Sequence, residues 1–426
     1  VNLLGIGWSH SLSSNCLHGH VDLKGGPMLA AHRIRLDPNN AQASYLARAA
    51  GTARFAYNWA LAEWKRQYEA CKLDPSLPRP NEAALRRQLN AVKRQQFPWM
   101  LEVTKNAPQL AIMQLGEAFK NFFACRARYP QFRRKGQHER FTLTNDLFQV
   151  DGKKFRIPKL GWVRMREALR FQNRIVSATI SRVANHWYAS ITVDIPNPFL
   201  PSAENQGAVG IDLGVSSLAT LSTGEAIAGP RALRTLLQRL QRLSRALSRK
   251  VKGSHNRGKA KMKLARLHAR IASIRRDGLH QLTTSITRRF HTIGIEDLNV
   301  KGMLANRRLS RAIADMGFYA FRRQLEYKAA WRGGQVIVAD RWFPSSKQCS
   351  GCGHVVKELG MGVRHWCCPE CGEYHDRDVN AAVNLKNMAV SSTASACGGE
   401  GAGLARKRET KPAPAKQESS AKVNDE

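Results

Sequence analysis

Apolar and polar residues along this chain repeat with two periods, and the switches between them mark its elements. Residues 28–36, MLAAHRIRL, read as a short strand closed by Asp37-Pro38. From 39 to 127 the spacing lengthens to three and four. Leu46, Ala49, Ala50, Ala53, Tyr57, Ala60, Leu61 and Trp64 make one helical face, with Arg48, Arg54 and Lys65 elsewhere. A Pro-rich break, PSLPRPNE, precedes a helix around 83–95, and another helix spans 108–123 with Leu110, Met113, Leu115 and Phe119 among its apolar residues. Residues 148–195 return to short alternating strands, which predict a small β-barrel. Its first strand lies before the helices, so the helices read as an insertion into a β module.

Residues 196–207 read as a linker, and the stretch Gly207 to Glu225 follows as a β-hairpin with Gly224 at a polar turn. Two basic helices come next. Leu233, Leu236, Leu237, Leu240, Leu243 and Leu247 line the first, and Leu264, Leu267, Ile271 and Ile274 line the second. The short Gly253–Gly258 connection predicts an antiparallel helical hairpin. Strand-like runs at 291–299 and 335–339 bracket a helical segment at 310–332, the alternation of an α/β domain. Beyond about Val390 the apolar pattern fades, and 391–426 reads as a disordered tail.

The 426 residues carry a formal net charge of +36. Such an excess of one sign repels itself unless a polyanion neutralises it, which points to nucleic acid. No apolar run reaches the length of a membrane span, so a membrane partner is set aside. Residues 1–27 lack a signal-peptide pattern and read as disordered or as an over-extended start, with the working protein beginning near Met28. Five of nine cysteines fall between Cys349 and Cys371, the usage of a metal site in a reducing, cytoplasmic setting. Cys349-x-x-Cys352 and Cys368-x-x-Cys371 predict one structural Zn2+, with Gly353 and Gly372 completing turns that need positive φ. Cys367 is then spare, and His365 and His375 read as bystanders.

Two basic stretches are candidate nucleic-acid contacts. In 126–143, Arg126, Arg128, Arg133, Arg134 and Lys135 alternate with Tyr129, Phe132 and Phe141, a mixture suited to phosphates and stacked bases. On the first basic helix, Arg242, Arg245 and Arg249 lie around the leucine stripe.

Three carboxylates recur at element ends. Asp212 sits on a strand with Gly210 and Gly214 on its own face, an arrangement expected to leave room for an anionic substrate. Glu296 ends the 291–299 strand. Asp378 stands where a helix begins, and capping alone would explain it, but not the recurrence of acids at Asp212 and Glu296. Together they fit two-metal phosphodiester hydrolysis with Mg2+.

The segments IDLGVSSLAT, IGIEDLNVKGM and SSKQCSGCG…CCPECGEYHDRDVNAAVNL resemble the nuclease motifs and zinc ribbon of the TnpB (OrfB) family, transposon-encoded proteins related to type V CRISPR effectors. ARFAYNWAL and YPQFRRKG extend the likeness over roughly 28–388, with a doubled Cys367-Cys368 as a departure. The resemblance implies a multidomain α/β and β protein. It would have an RNase H-like (RuvC) nuclease domain at 207–344 and 374–390, and a zinc ribbon inserted at 345–373. An N-terminal β-barrel at 28–38 and 128–196 would carry a helical insertion at 39–127.

The resemblance further implies an RNA-guided DNA endonuclease using Asp212, Glu296 and Asp378, two Mg2+ and one Zn2+ on Cys349, Cys352, Cys368 and Cys371. Asp376 is an alternative third acid, and Asp297 a neighbour. The implied partners are a transposon-derived guide RNA and double-stranded target DNA. A monomer is favoured, with the oligomeric state left open. A strand-joining transposase and a non-catalytic zinc-containing regulator are the rival readings.

Overall fold

The computed structural model describes residues 28–195, 207–360 and 362–397. The expectations for 1–27, for the linker over 196–206 and for the tail from 398 onward lie outside these residues. Strand β1 (Met28–Leu36) leads into three helices, α1 (Asn40–Leu73), α2 (Glu82–Gln96) and α3 (Asn106–Phe123). A capping box between Asn39 and Gln42 starts α1, which then runs unbroken for 34 residues. Asn81, the last residue but one of the Pro-rich break, caps α2 by accepting from the Ala84 N–H.

Strands β2 (Arg140–Thr144), β3 (Gln149–Asp151), β4 (Lys154–Ile157), β5 (Gly161–Arg164), β6 (Ile175–Val183) and β7 (His186–Ile195) follow. They form an antiparallel sheet in the order β1-β7-β6-β2 and a second sheet, β3-β4-β5. The first strand thus pairs with the last across the helices, as the sequence suggested. The expected barrel is not closed. Among the described residues the two sheets meet along one seam, a Leu36–Met165 bridge beside the hydrogen bonds Asp37 N–H to Arg164 O and Arg166 N–H to Arg35 O. A 3-10 turn at Asn145–Leu147 redirects the chain between β2 and β3, which do not pair. Helices and sheets also share one core, in which Leu46, Leu61, Ile112 and Phe119 pack with Ile34, Phe141, Phe155 and Ile180. The helical segment is therefore not a separate apolar unit.

The second half begins with β8 (Ala208–Asp212), β9 (Ala219–Leu221) and β10 (Ala226–Ile227). The predicted hairpin is the β8–β9 pair, and Gly224 turns β9 into β10. Helices α4 (Ala232–Ser248) and α5 (His255–Arg289) pack Leu233, Leu236, Leu240 and Leu243 against Leu267 and Ile271, while Ile274 is exposed instead of joining the seam. Then come β11 (Thr292–Ile295), α6 (Val300–Ala305), α7 (Ser310–Met316), α8 (Phe318–Trp331) and β12 (Gln335–Val338).

A two-stranded ribbon, β13 (His365–Cys367) with β14 (Tyr374–Asp376), precedes the last helix, α9 (Arg377–Cys397). The helix continues seven residues past the expected start of the tail. The central sheet has the order β10-β9-β8-β11-β12, antiparallel on one side of β8 and parallel from β8 through β11 to β12. Functional groups of such a sheet collect where its parallel strands end. Asp212 closes β8 and Glu296 follows β11 at that edge. Among the described residues no helix is long and apolar enough to cross a membrane.

Candidate active site

The parallel pairing of β8 and β11 puts Ile211 opposite Ile295, so Asp212 and Glu296 leave the sheet side by side. Asp212 is half-buried. Its pKa is pushed up to about 8, first by burial and then by the negative charges of Glu296 and Asp378, against the weaker pull of Arg377 and the Leu213 N–H. Both acids act on Asp212 through their charge, so the three predicted acids gather at the same edge of the sheet. Glu296 accepts a 2.5 Å hydrogen bond from Ser345 Oγ, and Arg364 donates to both Asp378 oxygens at 3.2 Å.

The two neighbouring acids have other tasks. Asp376 caps α9, its Oδ1 accepting from the N–H groups of Asp378 (3.0 Å) and Val379 (2.9 Å). Capping therefore falls to Asp376, while Asp378 occupies the first turn. Asp297 is held by Arg322 at 2.8 Å and Arg341 at 2.7 Å, and hydrogen bonds from Arg341 and then Arg322 keep its carboxyl below the usual range. Arg377 donates to the Gly360 carbonyl and so pins the ribbon.

The sequence assigned Gly210 the wrong neighbour. Its missing side chain does not clear space for substrate. A Cβ there would lie 1.8 Å from the Ala382 carbonyl oxygen and 2.4 Å from the Lys386 nitrogen, so the empty space is taken by the backbone of α9. Gly294, the register partner of Gly210 on β11, meets Leu385 O at 2.2 Å in the same sense. Two adjacent glycines thus form the groove in which α9 is seated, and that seat brings Asp378 to the strand ends.

The four cysteines expected as ligands converge, with Cys349 and Cys371 sulfurs 3.6 Å apart and Cys352 and Cys368 also 3.6 Å apart. Tetrahedral coordination at about 2.3 Å per Zn–S bond requires nearly that edge, so the set can hold a metal ion such as zinc. Gly353 and Gly372 take φ of +81° and +76°, as the turns demand. Cys367 points away, its thiol donating to the Gly372 carbonyl at 3.1 Å, which fixes the register on Cys368. His365 stacks on Tyr374 outside the set. His375 is closer to the chemistry than a bystander: it is buried, with Nε2 3.0 Å from Cys349 Sγ. Cys368→Ser should abolish metal retention, whereas Cys367→Ser should keep one ion per chain, as measured by metal analysis of the purified variants.

The basic candidates divide. Arg126, Arg128, Arg134 and Lys135 are exposed, as are Arg242, Arg245 and Arg249 on α4. Arg133 turns inward, its guanidinium 3.6 Å over the Tyr57 ring and bonded to Gln114 at 3.0 Å, so it braces α1 against α3. Tyr129 packs edge-on to Phe119 and Phe122, and Phe141 is core, which leaves Phe132 as the exposed ring of the stretch, under Lys65. A further basic surface went unnoticed in the sequence. Arg33 and Arg35 of β1 share a sheet face with His186 and Tyr188 of β7, and Arg266 and Arg276 of α5 come near enough to lower the pKa of His186 and Arg33 respectively, after burial. The alternating Arg-x-Arg in the first strand was the available signal.

Three family models match the chain: a probable transposase, OrfB_IS605, over residues 190–307; a Cas12f1-like TNB domain over 318–385; and a helix-turn-helix domain over 28–72. The last covers strand β1 and one continuous helix, α1, so its name does not describe the geometry here. A "Putative RNA-guided DNA endonuclease" of Streptomyces pristinaespiralis is 39% identical over 86% of this chain and 90% of its own length. The "Putative RNA-guided DNA endonuclease InsQ" of Escherichia coli is 36% identical over 87% of this chain and 94% of its own. Among solved structures, the Cas12f1–sgRNA–target DNA complex aligns over 85% of this chain and 99% of that one, with a TM-score of 0.51 and 13% identity, a likeness of fold.

Proposed function

The chain belongs to the OrfB IS605 family of probable transposases, and we propose that it is itself an RNA-guided DNA endonuclease of a transposable element. The observation that carries the reading is the crowding of Asp212, Glu296 and Asp378 at one sheet edge in a chain of net charge +36. The sheet order supports an RNase H-like, RuvC-type nuclease domain formed by 207–344 and 374–390, with the zinc ribbon at 345–373 as an insertion. The carboxylates supply the hard oxygen donors that Mg2+ prefers, and their mutual repulsion is what a divalent charge would relieve. Bound there, two Mg2+ would activate a water and neutralise the leaving oxygen.

The chain's own part is placement. Asp212 and Glu296 are fixed on paired strand ends, and Asp378 stands in the first turn of α9, whose N-terminal dipole also favours a phosphate. Cys349, Cys352, Cys368 and Cys371 would hold a Zn2+ that closes the ribbon, and with four thiolates it would have no position left for catalysis. Guide RNA and the guide–target duplex would lie along the basic surfaces of 28–195 and α4–α5, held through their backbones while base pairing reads the sequence.

The test is reprogramming. Protein purified with its RNA should cut a DNA matched to that RNA, and replacing the guide segment should move the cut to the newly matched DNA. Cutting that ignored guide sequence would overturn the guided reading, and strand joining without a guide would favour the transposase.

A further inference from the structure

Two asparagines on α9 tie the metal ribbon to the acids. Asn380 and Asn384 are four residues apart and buried, at 2% and 4% exposure, where a polar side chain must be fully partnered. Asn380 Nδ2 donates to the Gln348 carbonyl at 2.7 Å, and its Oδ1 accepts from the Ser350 N–H at 2.9 Å. Asn384 Nδ2 donates to the carbonyls of Ser345 at 2.8 Å and Gln348 at 2.6 Å. These bonds hold the segment that enters the first cysteine turn, since Gln348 and Ser350 flank Cys349. Ser345, at the other end of the same segment, is buried and spends its hydroxyl on Glu296 at 2.5 Å. One short loop is therefore bonded to the ribbon, to the helix that carries Asp378, and to Glu296.

We propose that Ser345, Asn380 and Asn384 are positioning residues that make divalent-cation capture by the acids depend on a ribbon closed around its own metal. The inference rests on the nuclease reading above. A ribbon without metal loses the tether that fixes residues 345–350, and with it the orientation of Glu296 relative to Asp378. The relay then works as an assembly check, in which only a zinc-loaded chain holds its acids at the spacing that a cation pair needs. Outer partners of metal ligands usually matter on the scale of about 10- to 100-fold in affinity or activity.

The test titrates Mn2+ by electron paramagnetic resonance into the full chain with its co-purified RNA, with zinc content and DNA cleavage measured in parallel. Ser345→Ala should weaken Mn2+ binding and lower kcat by about 10- to 100-fold, with zinc, melting temperature and KM for DNA unchanged. Ser345→Thr, which keeps the hydroxyl, should recover most of the loss. Stripping zinc from the unsubstituted chain should weaken Mn2+ binding about tenfold, whereas in Asn384→Leu it should add little to a loss already present. Unchanged Mn2+ binding in Ser345→Ala would overturn the proposal, as would loss of zinc and melting temperature in step with it. Equal Mn2+ binding by the unsubstituted chain and Asp212→Asn would instead overturn the nuclease reading, and the proposal with it.

Discussion

Gly210→Ala should unseat α9 and abolish activity together with much of the stability of the second half. A methyl group there would stand 1.8 Å from Ala382 O and 2.4 Å from Lys386 N. Both atoms are helix backbone, so no rotamer change relieves the clash, and the whole helix must lift. Overpacking of a close-packed site costs roughly 1–3 kcal/mol, and a rigid backbone neighbour puts this one at or above the upper end. Lifting α9 also pulls Ala381, Ala382, Leu385 and Ala389 out of burial and carries Asp378 away from Asp212. Gly214→Ala is the control, since its methyl would meet only Ser217 O at 3.0 Å. Denaturant unfolding should therefore rank Gly210→Ala far below Gly214→Ala. Equal behaviour of the two would mean that α9 is not held as described.

Asp212→Asn should stabilise the chain when no divalent cation is added, and should do so more as pH rises. The folded-state pKa of Asp212 lies near 8, above the carboxylate's ordinary value of 3.8. The folded chain then holds a proton that the unfolded chain releases. Its stability contribution is complete below about pH 4 and is lost progressively up to pH 8. Asparagine has no proton to lose and no charge to set against Glu296 and Asp378. The expected gain is on the order of 5 kcal/mol at pH 8 and under about 1 kcal/mol at pH 4, read from unfolding curves at the two pH values. Added Mg2+ should reverse the ranking, because a cation bound only by the folded state raises its stability and the variant has lost a ligand.

Much of this was legible in residue spacing. The cysteine pairs fixed their own register because a two-residue gap to Cys371 admits only Cys368, and the leucine stripes of α4 and α5 predicted their antiparallel packing. What spacing could not supply was the third dimension around single residues. Gly210 looks the same in sequence whether its empty face meets a phosphate or a helix, and only the seating of α9 decides between them. Asp378 reads as the candidate cap from sequence, and only the observed start of the helix passes that role to Asp376. Arg133 belongs to a basic run, yet Tyr57 and Gln114, far away in sequence, draw it inward. Asn380 and Asn384 carried no charge pattern to draw notice, and their role emerged from partners 30 to 39 residues away.

The most direct test of the central claim pairs the unsubstituted chain with Asp212→Asn, each purified with its guide RNA, on matched DNA in Mg2+. Both should bind the DNA with similar affinity, with cleavage by the variant reduced by about a hundred- to a thousandfold, the scale on which removing one group that stabilises transition-state charge acts. Cleavage by Asp212→Asn at an undiminished rate would contradict the assignment of the three acids, whatever else the chain binds.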